Sequence, residues 1–322
     1  MSVAMRQSPE AMREWHAWRQ KGIGASDAAA IAGLDPWKGP LSIWLSKTGR
    51  LREDDEVEHR LWGNLLEPAI AEEFEKRMDL VVSGRGSWRE HRELSWMRAT
   101  LDGFVHERSA GEDDEGLGVL EIKTVAGFKG REWADQVPEQ YQLQVAHQLA
   151  VSGLQHAWLA VLFGGQRLEI YELERDDELI ASLIGLEEAF WTKHVLADVP
   201  PASEGYATTT EDLRRAFAAA GGPAVDLPPD VEALIEQRAV AKEEVRAAER
   251  SCAQVEQVLM TMLGDSEVGL LGGRPRITWK RFERLSIDVA ALRKQEPQLA
   301  QRFAVKSPYR RFSVVGSKEE ES

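Results

Sequence analysis

The chain has 322 residues, 43% of them hydrophobic and 29% charged, enough to bury a sizeable core and to form more than one unit. Its single cysteine, Cys252, excludes a disulfide framework, a cysteine-ligated zinc and an iron–sulfur nuclease, and its seven histidines form no metal-ligand pairs. The net charge of −14 argues against a simple nucleic-acid binder, but eleven Lys/Arg and three Asp/Glu between Gly272 and Phe312 give that stretch +8, leaving −22 elsewhere.

No secretory apolar core follows Met1 and no 18-residue apolar run occurs, so a cytoplasmic protein is expected. Residues 9–20 carry Met12, Trp15 and Trp18 at three-residue spacing and predict a helix. Gly22 to Asp27 breaks it, and a short helix over 28–32 resumes with Ser26 or Asp27 as N-cap. Pro36, Gly39 and Pro40 mark a turn before the helical face of Leu41, Trp44 and Leu45. Residues 52–58 read as a charged loop.

Trp62, Leu65, Leu66, Ala69, Ile70 and Phe74 follow helical spacing, with Glu67 at the edge of the apolar face; Pro68 fits if Asn64 lies near the helix start. Trp15, Trp18, Trp44 and Trp62 all read as core residues and not as a base-stacking platform. Strands are expected over 80–88 and 95–105, the second containing Asp102. The acidic loop Glu112-Asp113-Asp114-Glu115 leads into a strand over 118–124.

In that last strand Glu121 and Lys123 share one face while Leu120 and Ile122 take the other. A carboxylate and an amine in a buried apolar strand are costly unless something uses them. A hard divalent cation with a water to activate would do so, in phosphodiester hydrolysis. Asp102 would be the central ligand of Mg²⁺ or Mn²⁺, Glu121 the second together with the Ile122 carbonyl, and Glu67 would complete a second position or hold a water. Lys123 would orient or deprotonate the attacking water. Taken alone, Glu121 and Lys123 suit an edge strand facing solvent better than a site, and Asp102-Gly103 suits a turn; the ordered set is what favours the site.

A helix over 138–152, closed by Gly153, places Gln140, Gln144 and Gln148 at four-residue spacing beside Tyr141. Strands over 156–163 and 167–173 form a hairpin, and a long helix spans 176–196. Arg19 and Ser26, at the first break, could clamp a phosphate. Residues 201–229 are expected to be a linker between a 1–200 domain and a 230–322 domain. The latter combines a helix over 231–263, rich in Glu/Arg pairs and suited to coiled-coil packing, with basic strands over 274–288 and 303–315 around a short helix from Ile287.

Residues 15–27, Trp62 to Pro68, Ala99 to Gly103, Leu120 to Thr124 and Tyr141 to Val145 resemble, in order, the motifs of YqaJ-type viral recombinases, phage nucleases of the lambda exonuclease type in the PD-(D/E)XK superfamily. The resemblance covers roughly residues 12–197; Leu101 stands where the family has proline. It implies an α/β fold, a mixed β-sheet flanked by helices with the C-terminal part as a helical and basic appendage. It implies a Mg²⁺-dependent deoxyribonuclease, 5′→3′ on duplex ends, acting with a single-strand annealing protein in the bacterial cytoplasm as a phage or prophage product. By match, Glu67, Asp102 and Glu121 are metal-associated, Lys123 catalytic, Gln144 supporting, and Arg19 and Ser26 contact the terminal phosphate. Lambda-type members form trimers. An endonuclease of the same superfamily, or a catalytically silent DNA- or partner-binding scaffold, is the alternative.

Overall fold

A computed structural model describes residues 9–51, 58–109, 116–133, 136–219, 222–305 and 310–315. The chain divides into two units, Met1–Ala218 and Ala219–Ser322. The expected acidic loop at 112–115, and all but the last residue of the charged loop at 52–58, lie outside the described residues.

The first unit opens with α1 (Pro9–Gln20), the two-residue β1 (Ile23–Gly24), the single turn α2 (Ala28–Ile31) and α3 (Pro40–Lys47). Then come α4 (Glu58–Met78), β2 (Leu80–Ser83), β3 (Ser87–Glu90), β4 (Met97–Leu101), β5 (Gly103–Glu107) and β6 (Gly118–Val125). The unit ends with α5 (Glu139–Ser152), β7 (His156–Phe163), β8 (Arg167–Glu174), α6 (Asp177–Phe190) with a π-helical extension Trp191–Leu196, and α7 (Ala207–Ala216).

Five strands form a mixed sheet in the order β2-β5-β6-β7-β8, in which only β6 and β7 run parallel. Parallel neighbours need a crossover, and α5 supplies it. Alternation along β6 then assigns its faces. Leu120 and Ile122 pack with Ile70, Ala71 and Phe74 of α4, while Val119 packs with Leu143, Ala146 and Leu149 of α5. The result is the mixed α/β architecture expected, with helices on both faces of the sheet.

Two expected strands are each cut in two. The 80–88 run becomes β2 and β3, and the 95–105 run becomes β4 and β5, with Asp102 between them. β3 and β4 belong to a second sheet, β1-β4-β3, so the chain changes sheets at Asp102. Gly103 makes the change possible, because a Cβ there would stand 2.4 Å from the Val82 Cγ1 atom.

Other expectations are corrected. α4 runs from Glu58 to Met78, so Pro68 is inside the helix and not near its start. Its missing N–H leaves the Asn64 carbonyl without its helical donor. Trp44 is buried, Trp15 and Trp18 are half-buried, and Trp62 is 55% exposed, because the first turns of α4 extend beyond the core that holds Ile70 and Phe74. The expected linker contains α7, which packs on α3; buried Thr209 shares a 3.2 Å hydrogen bond with Ser42, and the first unit therefore runs to Ala218 rather than 200.

Beneath the sheet change lies a fully buried pair. His147 of α5 meets Glu187 of α6 through Nδ1 at 2.8 Å, and its Nε2 donates to the Arg98 carbonyl of β4 at 2.9 Å. Burial opposes charging of the imidazole, but the Glu187 carboxylate and these hydrogen bonds outweigh it and raise its pKa. One side chain thus ties α5, α6 and β4 together.

The second unit consists of α8 (Val231–Leu263), the hairpin β9 (Val268–Leu271) and β10 (Arg274–Thr278), and the short helices α9 (Val289–Gln295) and α10 (Pro297–Arg302). Asp288 caps α9, accepting from the Ala291 N–H. The basic strand expected over 274–288 stops at Thr278, and β9 was not foreseen. No strand occurs among the described residues of 303–315, where exposed Phe303, Val305 and Phe312 have no neighbouring strand to pair with.

Candidate active site

A cleft of about 740 Å³ in the first unit gathers nearly all the residues singled out in the sequence. Arg19, Ser26, Glu67, Asp102, Glu121, Ile122, Lys123 and Gln144 all line it, drawn from α1, the turn before α2, α4, the β4–β5 step, β6 and α5.

β6 supplies the centre. Glu121 is 3% exposed and Lys123 stands on the same face, its ammonium donating to Glu121 Oε1. From α5, Gln144 donates to the same oxygen at 2.6 Å, and Gln148 donates to Oε2 at 2.5 Å. The carboxylate is thus fixed by three donors, which rules out the solvent-facing edge-strand alternative. Gln148, fully buried, was visible in the sequence only as part of an amide-rich face. Replacing it by Leu should leave the fold intact and, if Glu121 ligates a divalent cation, raise the Mg²⁺ concentration needed for half-maximal activity by about 10–100-fold, the usual effect of freeing a ligand's orienting partner. Thermal melting beside a Mg²⁺ titration of activity checks this; an unchanged Mg²⁺ midpoint would make Gln148 mere filler.

Asp102 occupies the corner between sheets. β5 pairs with β6 only over Gly118–Leu120, so the β6 backbone beyond is open, and Asp102 Oδ2 accepts the Ile122 N–H at 2.8 Å. A strand residue's N–H and C=O point to the same side, so the Ile122 carbonyl opens toward Asp102 as well. Burial, then the charges of Glu121 and Glu67, push the Asp102 carboxyl up to about 8 despite Lys123 and the Ile122 N–H. Burial lowers the Lys123 pKa, but Glu121 and Asp102 more than offset this and keep it an ammonium.

Among the described residues no three His, Cys, Asp or Glu side chains are grouped as a ready metal cage. Mg²⁺ does not need one, since one or two carboxylates, waters and substrate phosphates complete its shell. The donors fit it. Asp102, Glu121 and the Ile122 carbonyl are all hard oxygens, and the mutual repulsion that raises the Asp102 pKa is what a divalent cation would relieve. Glu67, half-buried on α4, adds to that field from the opposite wall.

The residues expected to clamp a phosphate are arranged differently from expectation. α2 is only four residues long, and neither Ser26 nor Asp27 caps it through its side chain. Instead Asp27, 5% exposed, accepts from the Gly24 N–H at 2.9 Å, Lys47 Nζ at 2.6 Å and Arg19 Nη2 at 3.3 Å. Burial would raise its pKa, yet Lys47 and Arg19 hold its carboxyl far below the usual carboxylate range. Arg19, steadied by Asp27 and lying over the Trp15 ring, also donates to Ser26 Oγ at 3.3 Å. Lys47, 28 residues from Arg19, gave no signal in the sequence.

The YqaJ-like viral recombinase domain family matches residues 14–155. The Bacillus subtilis (strain 168) protein YqaJ is 32% identical over 317 residues, 97% of each chain. Among solved structures, an alkaline exonuclease from Laribacter hongkongensis is similar with a TM-score of 0.48 and 21% identity, over 58% of this chain and 94% of that one. A phage related exonuclease from Haemophilus somnus 129PT is similar with a TM-score of 0.41 and 12% identity, over 55% and 95%.

Proposed function

The chain belongs to the YqaJ-like viral recombinase family, and from that premise we propose that it is a Mg²⁺-dependent deoxyribonuclease hydrolysing phosphodiester bonds of duplex DNA. It acts from ends, 5′→3′, leaving 3′ single strands for recombination with a single-strand annealing protein. The observation that carries this reading is the meeting, in one cleft, of a carboxylate–lysine centre with an arginine–serine clamp.

Asp102, Glu121 and the Ile122 carbonyl would hold Mg²⁺, with Glu67 ordering water or a second ion. Bound there, the ion supplies positive charge to the phosphoryl oxygens and acidifies a water. Lys123, held as an ammonium, orients that water and offsets charge developing on the phosphate. Gln144 and Gln148 keep Glu121 from turning away.

Arg19 and Ser26 favour an end over an internal bond. A terminal phosphate carries about −1.5 to −2 charges where a diester carries one, so a fixed guanidinium discriminates between them. In the second unit, the basic stretch from Arg274 to Arg311 would add sequence-independent contacts to DNA or to the annealing protein. No helix is long and apolar enough to cross a membrane among the described residues.

Linear duplexes with 5′-phosphate or 5′-hydroxyl ends, and closed circles, incubated with Mg²⁺ or EDTA, test the proposal. Mg²⁺-dependent digestion of linear DNA alone is expected, faster by about tenfold or more on the 5′-phosphate, with the preference lost in Arg19→Ala. Cutting of circles would make the protein an endonuclease. No digestion of any form would leave a binding scaffold.

A further inference from the structure

The second unit concentrates positive charge along one short run. From Arg274 to Arg284 there are five Lys/Arg and a single acid, Glu283, which Arg281 approaches at 3.6 Å. All five cations are exposed. Set among them are Trp279, 50% exposed, and Phe282, 85% exposed. Aromatic rings offer the largest apolar area to bury, so two left in water within one charged run mark a surface that a partner covers. The run has a firm footing. β10 pairs with β9, and half-buried Ile277 lies over Gly269, where a Cβ would stand 2.9 Å from the Leu263 Cδ2 atom. The hairpin is therefore seated against the end of α8. The Trp279 N–H donates to the Glu267 carbonyl at 2.9 Å and ties that residue to the hairpin. Two further exposed rings of this unit, Phe303 and Phe312, lie beneath the guanidinium groups of Arg302 and Arg238 and take no part.

We propose that Trp279 and Phe282, with the five cations around them, form a binding surface for single-stranded DNA. Charge selects a polyanion. The stretch 272–312 carries +8 while the remainder carries −22, so attraction to phosphates is confined to this surface. A protein partner fits it less well, because the buried centre of a protein–protein interface is depleted in charged residues. The rings select the unpaired strand. Bases within a duplex stack on one another and hide their faces, whereas a single strand presents each face to an aromatic side chain. The identity of the strand rests on the nuclease reading above, whose product is single-stranded DNA, but the binding itself requires no catalysis.

Fluorescence anisotropy of the full chain in EDTA, with an internally labelled, circularised oligothymidylate, reads this binding alone, since a circle offers no terminal phosphate to Arg19 and Ser26. The wild type should bind the circle more tightly than a closed circular duplex or an oligouridylate circle of equal length. Trp279→Ala and Phe282→Ala should each weaken binding of the single-stranded circle by about tenfold. They should leave duplex binding and the salt dependence unchanged, and Trp279→Tyr should retain most of the affinity. Arg284→Gln should instead lower the slope of log affinity against log salt by about 0.7. All four side chains replaced are exposed, and equal melting temperatures check that the variants fold. An unbound circle, equal affinity for the duplex, tighter binding of the oligouridylate, or indifference to both alanine variants would each overturn the proposal. Digestion of linear duplex with Mg²⁺ is scored separately. A bound circle without digestion removes the nuclease reading and leaves this surface standing, and digestion without circle binding does the reverse.

Discussion

Asp102→Asn is expected to abolish DNA hydrolysis while making the metal-free protein more stable. The activity loss should be at least about 10³-fold, because the amide cannot serve as an anionic ligand. The stability gain follows from linkage. The Asp102 pKa rises from 3.8 unfolded to about 8 folded, so the folded state holds the proton more tightly. Its unfavourable effect is absent below pH 3.8, grows as pH rises from there, and is complete above about 8. Melting of the wild type without metal should therefore fall across that window, whereas the variant's should not show this component. At pH 9 the variant should be more stable by about 1–3 kcal/mol, or several degrees in Tm. Added Mg²⁺ should narrow the gap by stabilising only the wild type. Equal pH profiles in both proteins would remove Asp102 from the charged centre.

Lys123→Ala carries the second large effect, a fall in kcat of about 10²–10³-fold with DNA binding retained. The side chain is 25% exposed, so its removal opens no core cavity. Gln144 and Gln148 still hold Glu121, so Mn²⁺ affinity by calorimetry should change far less than kcat. Comparable losses in both quantities would show that the lysine only screens the carboxylates. Turnover left intact would take it out of the chemistry.

Glu121 and Lys123 were legible because strand alternation is a local rule: two residues apart means one face, whatever the sheet does later. Gln148 was legible as spacing but not as a role, since its contact with Glu121 crosses 27 residues. The position of Asp102 was harder. β4 and β5 read as one apolar run, and only pairing partners far along the chain reveal that the run serves two sheets. Lys47 joined Arg19 invisibly for the same reason, whereas Asp27 was visible only as a candidate helix cap and not as the carboxylate that holds Arg19. Trp62 misled in the opposite direction, since helical spacing defines a face without saying how far the core extends beneath it. In the second unit, aromatic and β-branched residues over 303–315 suggested a strand that has no partner among the described residues, whereas the strand from Arg274 found one in β9.

The single-residue step at Asp102 also sets where this chain tolerates changes of length. Insertions outside the paired strands would leave the registers of β4, β5 and β6 unchanged. One added residue at the step would turn every β5 side chain to the opposite face, placing Val105 where Phe104 and His106 now stand. Natural variation in length should therefore gather around this point on both sides and never at it.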